Sequence, residues 1–146
     1  MSPEGVAQTL ADTVDDFLNA EPTPHGWKLL LDRLERWFGE LDESDAFHGM
    51  LLLLQRRSRY QHQLVAGELL CRRRVPILIH PDEFIRSVAT SIDASANTVG
   101  HYLGQQLGRT AAVDKLRTIR NEESHPDILS GIDHLRYMLG DHPGMS

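Results

Sequence analysis

The stretch Thr23-Pro24-His25-Gly26-Trp27-Lys28-Leu29-Leu30-Leu31-Asp32-Arg33-Leu34-Glu35-Arg36-Trp37-Phe38-Gly39-Glu40-Leu41 decides the fold. Trp27, Leu30, Leu31, Leu34, Trp37, Phe38 and Leu41 recur at steps of three and one, which lines one stripe of an α-helix. Thr23 before Pro24 is a helix start: a hydroxyl to accept from the first amides, then a ring that pre-sets φ. Both tryptophans fall on the apolar stripe, which makes them core residues rather than platforms for stacking a base. Upstream, Val6, Leu10, Val14, Phe17 and Leu18 mark a helix over Pro3 to Ala20, opposite Asp12, Asp15 and Asp16. Glu21-Pro22-Thr23-Pro24 ends it, since proline disfavours helix at the residue before it.

Downstream the same period continues. Asp42-Glu43-Ser44 is a short acidic connection with Ser44 as a cap, and a third helix runs from Asp45 to Arg74 with Gly67 as a break or kink. Val75-Pro76-Ile77-Leu78-Ile79 has strand composition, but a lone five-residue strand has no partner, so it is expected as an extended connection packed on the core. Pro81, with Asp82 and Glu83 in the first turn, opens a helix expected to reach Gly108. Its middle, Ser87 to Gly104, is rich in small residues that allow close helix approach, either inside the fold or across a dimer interface. Thr110 caps a helix over Ala111 to about Glu123, and Pro126 starts the last, which ends near Gly140. The expectation is an all-α bundle of five to seven helices. It forms one domain over residues 1–146: acidic helices in 1–44, an arginine-rich helix in 45–74, and helices in 81–140, with only the termini loose.

Composition bounds the function. The 146 residues are 40% hydrophobic and 25% charged, which excludes wholesale disorder. The longest apolar run, Met50 to Leu54, is far below the ~20 residues of a membrane span. The first residues have neither a basic nor an apolar signal region, and Cys71 is the single cysteine, so a cytoplasmic protein without membrane contact is expected. A net charge of −6 excludes a broadly basic nucleic-acid coat. The average hides a gradient, however. Residues 1–50 carry eleven acids and three bases, net −8, whereas residues 51–74 carry six arginines and one glutamate, net +5. That polarity is either opposite faces packing together or a basic surface that meets phosphate.

Most chemistry is absent from the pattern. The eight histidines include no pair at i, i+4 and no His-Glu-x-x-His, so no metal is expected. Cys71 between Leu70 and Arg72 lies in no motif and is expected to be inert. No glycine-rich phosphate loop or Gly-x-Ser-x-Gly turn occurs, and no cofactor is expected.

One constellation stands apart: Arg120-Asn121-Glu122-Glu123-Ser124-His125, after the helix that carries Leu116-Arg117-Thr118-Ile119 and before the helix opened by Pro126. An arginine, a small polar residue and a histidine five positions on resembles the R-x(4–6)-H motif of HEPN domains, all-α nucleotide-binding or ribonuclease domains of prokaryotic defence and toxin–antitoxin systems. The resemblance covers mainly Leu103 to Leu139. It implies a metal-independent endoribonuclease: His125 as base toward a ribose 2′-hydroxyl, Arg120 as phosphate clamp, Asn121 as positioner. It also implies a homodimer with a composite site, for which the Ser87–Gly104 helix is the candidate interface. Arg117, Arg56, Arg57 and Arg59 would add RNA phosphate contacts. Glu122 and Glu123 inside the motif oppose phosphate, and Asp127 stands where one toxin branch has a tyrosine.

A structural alternative uses the same residues: Ser124 or His125 caps the last helix and Arg120 pairs with an acid such as Glu123. The chain would then be a non-catalytic interaction or adaptor domain in a bacterial signalling or defence complex, meeting a protein partner through its acidic N-terminal helices. A third and weaker idea is a metal-dependent bundle enzyme built from scattered histidines.

Overall fold

Helix starts are written into the chain by side chains that accept from the first free amides. Ser2, Thr23, Asp42, His80 and His125 each take a backbone N–H two or three residues on. Proline stands in the first turn after Ser2, Thr23, His80 and His125, where its missing N–H costs nothing. The computed structural model describes residues 1–57 and 59–142; Ser58 and the 143–146 end of the expected loose tail lie outside the described residues. Among the described residues there are eight helices: α1 Pro3–Asn19, α2 Pro24–Gly39, α3 Glu43–Leu54, α4 Tyr60–Arg73, α5 Pro81–Ala89, α6 Asn97–Leu107, α7 Arg109–Glu122 and α8 Pro126–Met138. The protein is all-α.

The count exceeds five to seven because the two longest expected helices are each broken. The Asp45–Arg74 span divides at Gln55–Arg59 into α3 and α4, and the Pro81–Gly108 span divides at Thr90–Ala96 into α5 and α6. One side chain holds both breaks open. Gln63 of α4, 2% exposed, donates through Nε2 to the carbonyls of Arg56 (3.1 Å) and Ser91 (2.9 Å) and accepts through Oε1 from the amide of Asp93 (2.9 Å). Ser91 Oγ donates to the Gln55 carbonyl at 2.9 Å. The polar groups freed by leaving the helix are thereby satisfied inside the protein. Gly67, the expected break, instead lies within α4, where a Cβ would run into Thr98 of α6.

α4 is central, packed against α1, α2, α3 and α6; α5 and α8 lie together, and α7 bridges α6 and α8. Phe47, Phe84 and Tyr102 stack edge-on or tilted through the core, with centroids 6.1 and 5.9 Å apart. Trp27 is half-buried, edge-on to Phe17 at 4.8 Å, as a core role requires. The small residues are used inside the fold: Gly100 packs on Met138, and Gly131 of α8 lies against the backbone of Ala89 at the end of α5.

Val75 to Leu78 runs outside any helix and the chain bends at Ile79, with no strand among the described residues to pair the segment. Burial alternates along it: Val75, Ile77 and Ile79 turn to the core, while Pro76, Leu78 and His80 turn outward. Tyr102 Oη donates to the Val75 carbonyl at 2.6 Å and pins one end.

The charge gradient closes on itself. Arg72 of α4 holds Glu68 (2.9 Å), Glu35 (3.1 Å) and Asp32 (3.3 Å), and Asp15 of α1 meets His62 (2.7 Å) and Arg59 (3.6 Å). Arg73 caps the Phe38 carbonyl at 2.7 Å and lies over the Phe38 ring. Acidic α1 and α2 thus clamp the arginine-rich helix. Among the described residues no helix is long and apolar enough to cross a membrane.

Candidate functional site

The Arg120–His125 constellation lies at the α7–α8 junction. Arg120, in the last turn of α7, points its fork at Asp133 of α8, with Nε 2.8 Å from Oδ1 and Nη2 3.3 Å from Oδ2. This is a bidentate ion pair on a partly exposed surface, and it binds the guanidinium proton more firmly still. Asp133 lies thirteen positions along the chain, on the next helix, and takes the place expected for Glu123. Arg117, one turn earlier, makes the same kind of fork on Asp141 (2.6 and 3.2 Å), which also receives Arg136 at 2.7 Å. Asp141 is 6% exposed, and its two arginines hold its carboxyl down at about 2, well below the usual carboxylate range. Arg117–Asp141–Arg136–Asp133–Arg120 is one alternating ladder that ties α7 to α8 and the segment after it.

His125 is the N-cap of α8. Its Nδ1 accepts from the Asp127 amide at 3.2 Å. The bond assigns the tautomer: a neutral ring whose Nδ1 lone pair is spent on the cap carries its proton on Nε2, and so presents a donor to solvent. Asn121 is exposed on α7, and Glu122 pairs with Arg86 at 3.6 Å.

The same device occurs a second time. His80-Pro81-Asp82 opens α5 as His125-Pro126-Asp127 opens α8, and His80 Nδ1 accepts from the Asp82 amide at 3.1 Å. The repeated tripeptide was available in the sequence as a capping signal, and it has no arginine five positions before its first copy, where Val75 stands.

The other expected phosphate contacts cluster at the α3–α4 connection. Arg57 donates to the Thr90 carbonyl at the end of α5 (2.7 Å) and pairs with Asp127 (3.0 Å); Arg59 meets Asp15; Arg56 is exposed. Arg57 borders a polar cleft of about 270 Å³ shared with Tyr60, Asp93, Asp127, Ser130 and His134, which the linear sequence did not foretell. Ser130 and His134 approach within 3.5 Å there, a spacing that one-turn neighbours reach routinely: Ser44 and His48 are 3.4 Å apart on α3. A second, apolar groove of about 310 Å³ runs between α2, α4 and α6 beside Trp27, Leu31 and Leu64.

No group of three or more His, Cys, Asp or Glu among the described residues could hold a metal ion. Burial, with Glu68 beside it, pushes the Cys71 thiol up to about 11, which suppresses the reactive thiolate. No known protein family, curated protein or solved structure matches the chain.

Proposed function

We propose that this protein is a non-catalytic helical interaction domain. One observation carries that reading: both halves of the Arg–His constellation are committed to the fold, Arg120 tying α7 to α8 and His125 capping α8. The guanidinium fork is occupied by Asp133, and the histidine lone pair by the Asp127 amide. A ribonuclease would need Arg120 to release a carboxylate before it could clamp a phosphate. It would also need His125 to surrender its cap, or change tautomer, before it could accept a proton. The arginines expected to draw RNA support the same reading, because Arg57, Arg59 and Arg117 each hold a carboxylate. On α1 to α3 and the turns between them, the exposed acids without an ion pair among the described residues, Glu4, Asp12, Asp16, Glu21, Glu40 and Glu43, outnumber the exposed bases so placed, Arg33 and Arg36. That surface suits a basic protein partner and repels RNA.

The HEPN-like ribonuclease is the rival, and one assay separates the two. Wild type, His125→Ala and Arg120→Ala are incubated with a mixed-sequence RNA oligonucleotide in the presence of a chelator, and binding is followed by fluorescence anisotropy at low salt. The interaction reading expects no cleavage and no binding by any of the three. Cleavage by wild type that both substitutions abolish, at unchanged helicity, would establish the ribonuclease and end this proposal.

A further inference from the structure

Between α2, α4 and α6 the fold leaves apolar side chains uncovered. α6 closes tightly on α4, so that a Cβ at Gly67 would run into Thr98, whereas α2 takes its main contact from α4. The groove of about 310 Å³ that results is walled by Trp27 and Leu31 of α2, Leu64 and Val65 of α4 and Thr98 of α6. A cavity of about 150 Å³ in an apolar core already accepts benzene, so one ring and a short chain have room here. Trp27 is held from behind by the edge of Phe17 at 4.8 Å, and the Thr98 hydroxyl is spent on the Leu64 carbonyl at 2.6 Å. Walls of this kind favour hydrocarbon over water.

The charge at the groove lies to one side. Glu68 of α4 borders the groove one turn after Leu64 and also belongs to the cluster around Arg72. In that cluster Arg72 alone serves three carboxylates, Glu68 at 2.9 Å, Glu35 at 3.1 Å and Asp32 at 3.3 Å. Lys28 reaches only Asp32, at 3.6 Å and on a side chain 74% exposed. Three acids against two bases leave this end net −1. Oε1 of Glu68 accepts from Arg72, and among the described residues no hydrogen bond reaches Oε2. We infer that the groove binds a small hydrophobic monocation, an ammonium group carried on a single aromatic ring or a short alkyl chain. Its apolar body lies along Trp27, Leu31, Leu64 and Val65, and its N–H groups donate to Glu68. Each half of the ligand is selected by a different feature. A carboxylate of the same shape meets three acids and is repelled. A cation without the apolar body leaves the walls wet and gains little over water. The site uses no residue of the α7–α8 junction, so it goes beyond the interaction reading and stands whichever function that junction serves.

Two compounds of one shape and opposite charge make the test specific: phenethylamine and 3-phenylpropionate, with ethylamine as the cation that lacks a ring. Each is titrated at pH 7 and matched ionic strength to about 10 mM, the range in which ligands of this size bind. Calorimetry is run on wild type and Glu68→Gln, and emission is followed on Trp37→Phe, which keeps Trp27 as its one tryptophan. The expected result is a single site for phenethylamine that alters the Trp27 emission and is about tenfold tighter than the site for 3-phenylpropionate, with no binding of ethylamine. Glu68→Gln should bring the two ring compounds within about twofold of each other at unchanged circular dichroism. Calorimetry on wild type reads the charge preference even where a variant fails to fold. Absence of phenethylamine binding, equal binding of 3-phenylpropionate or of ethylamine by wild type, unaltered Trp27 emission, or a full amine preference in folded Glu68→Gln would each overturn the inference.

Discussion

Gly131→Ala tests the packing of α5 on α8, the contact that sets both the polar cleft and the α7–α8 junction. Gly131 lies inside α8, where alanine in place of glycine is worth about 1 kcal/mol in helix propensity. Here the added Cβ meets the Ala89 carbonyl oxygen, carbonyl carbon and Cα. All three are backbone, so no side chain can rotate away and α5 itself must move. Overpacking of that kind costs up to about 3 kcal/mol, which leaves a net loss of about 2 kcal/mol once the propensity gain is subtracted. For a chain of this size that is a fall in Tm of about 4–8 °C. The control is Gly39→Ala at the end of α2, where a Cβ meets nothing within 4 Å. The same chemical change should there leave stability unchanged or raise it by up to about 1 kcal/mol. Differential scanning calorimetry on both variants decides the matter. If Gly131→Ala melts at or above Gly39→Ala, α5 does not press on α8 and the contact described above is wrong.

Three further predictions follow from the junction and from α4. Asp141 is depressed to about 2 by Arg117 and Arg136, so its ion pairs are in place above the ordinary carboxylate range near 3.9 and are lost as pH falls from there through 2. With Arg117 half in solvent, the contribution is about 1 kcal/mol, and urea melts of Asp141→Asn should decline less between pH 5 and pH 2.5 than those of wild type. His80→Ala and His125→Ala each remove one cap and should cost about 1 kcal/mol, with Asn at either position restoring most of it; a variant pair in which only His125 matters would contradict the shared role. Cys71, with its thiol near 11, should react with a thiol reagent at pH 7.5 at least tenfold more slowly in the native protein than in urea, and equal rates would show that the site is open.

The proline-marked helix starts, the apolar stripes and the β-rich 75–79 run could be read because each is a local signal, whereas Ser44 and Thr110 are not the caps expected: Asp42 caps α3, and α7 begins at Arg109 behind Gly108 with no side-chain cap. The two breaks could not be read. Nothing between Gln55 and Arg59 forbids helix; the chain leaves it because Gln63 pays for the freed carbonyls from another turn and does so again for Thr90–Ala96, 28 residues away at Ser91. The candidate site divides in the same way. Capping by His125 was among the local possibilities, and its copy at His80 could have sharpened it. The Asp133 partner of Arg120 depends on how α7 turns back on α8, and no spacing rule relates positions thirteen apart across a helix junction. The charge gradient was plain from counting, but only tertiary packing shows that the arginines of α4 spend themselves on α1 and α2.

Pro76 has a consequence for solubility. An apolar segment that offered open amides along a strand edge could recruit other chains one after another and grow into a fibre. The nitrogen of Pro76 has no hydrogen to give, Val75 spends its amide and carbonyl on Leu70 and Tyr102, and the bend at Ile79 turns the chain away after a few residues. Arg72, Arg73 and Arg74 on one side and Asp82 and Glu83 on the other flank the apolar run with charge. The geometry therefore keeps an apolar, β-rich run from acting as a template.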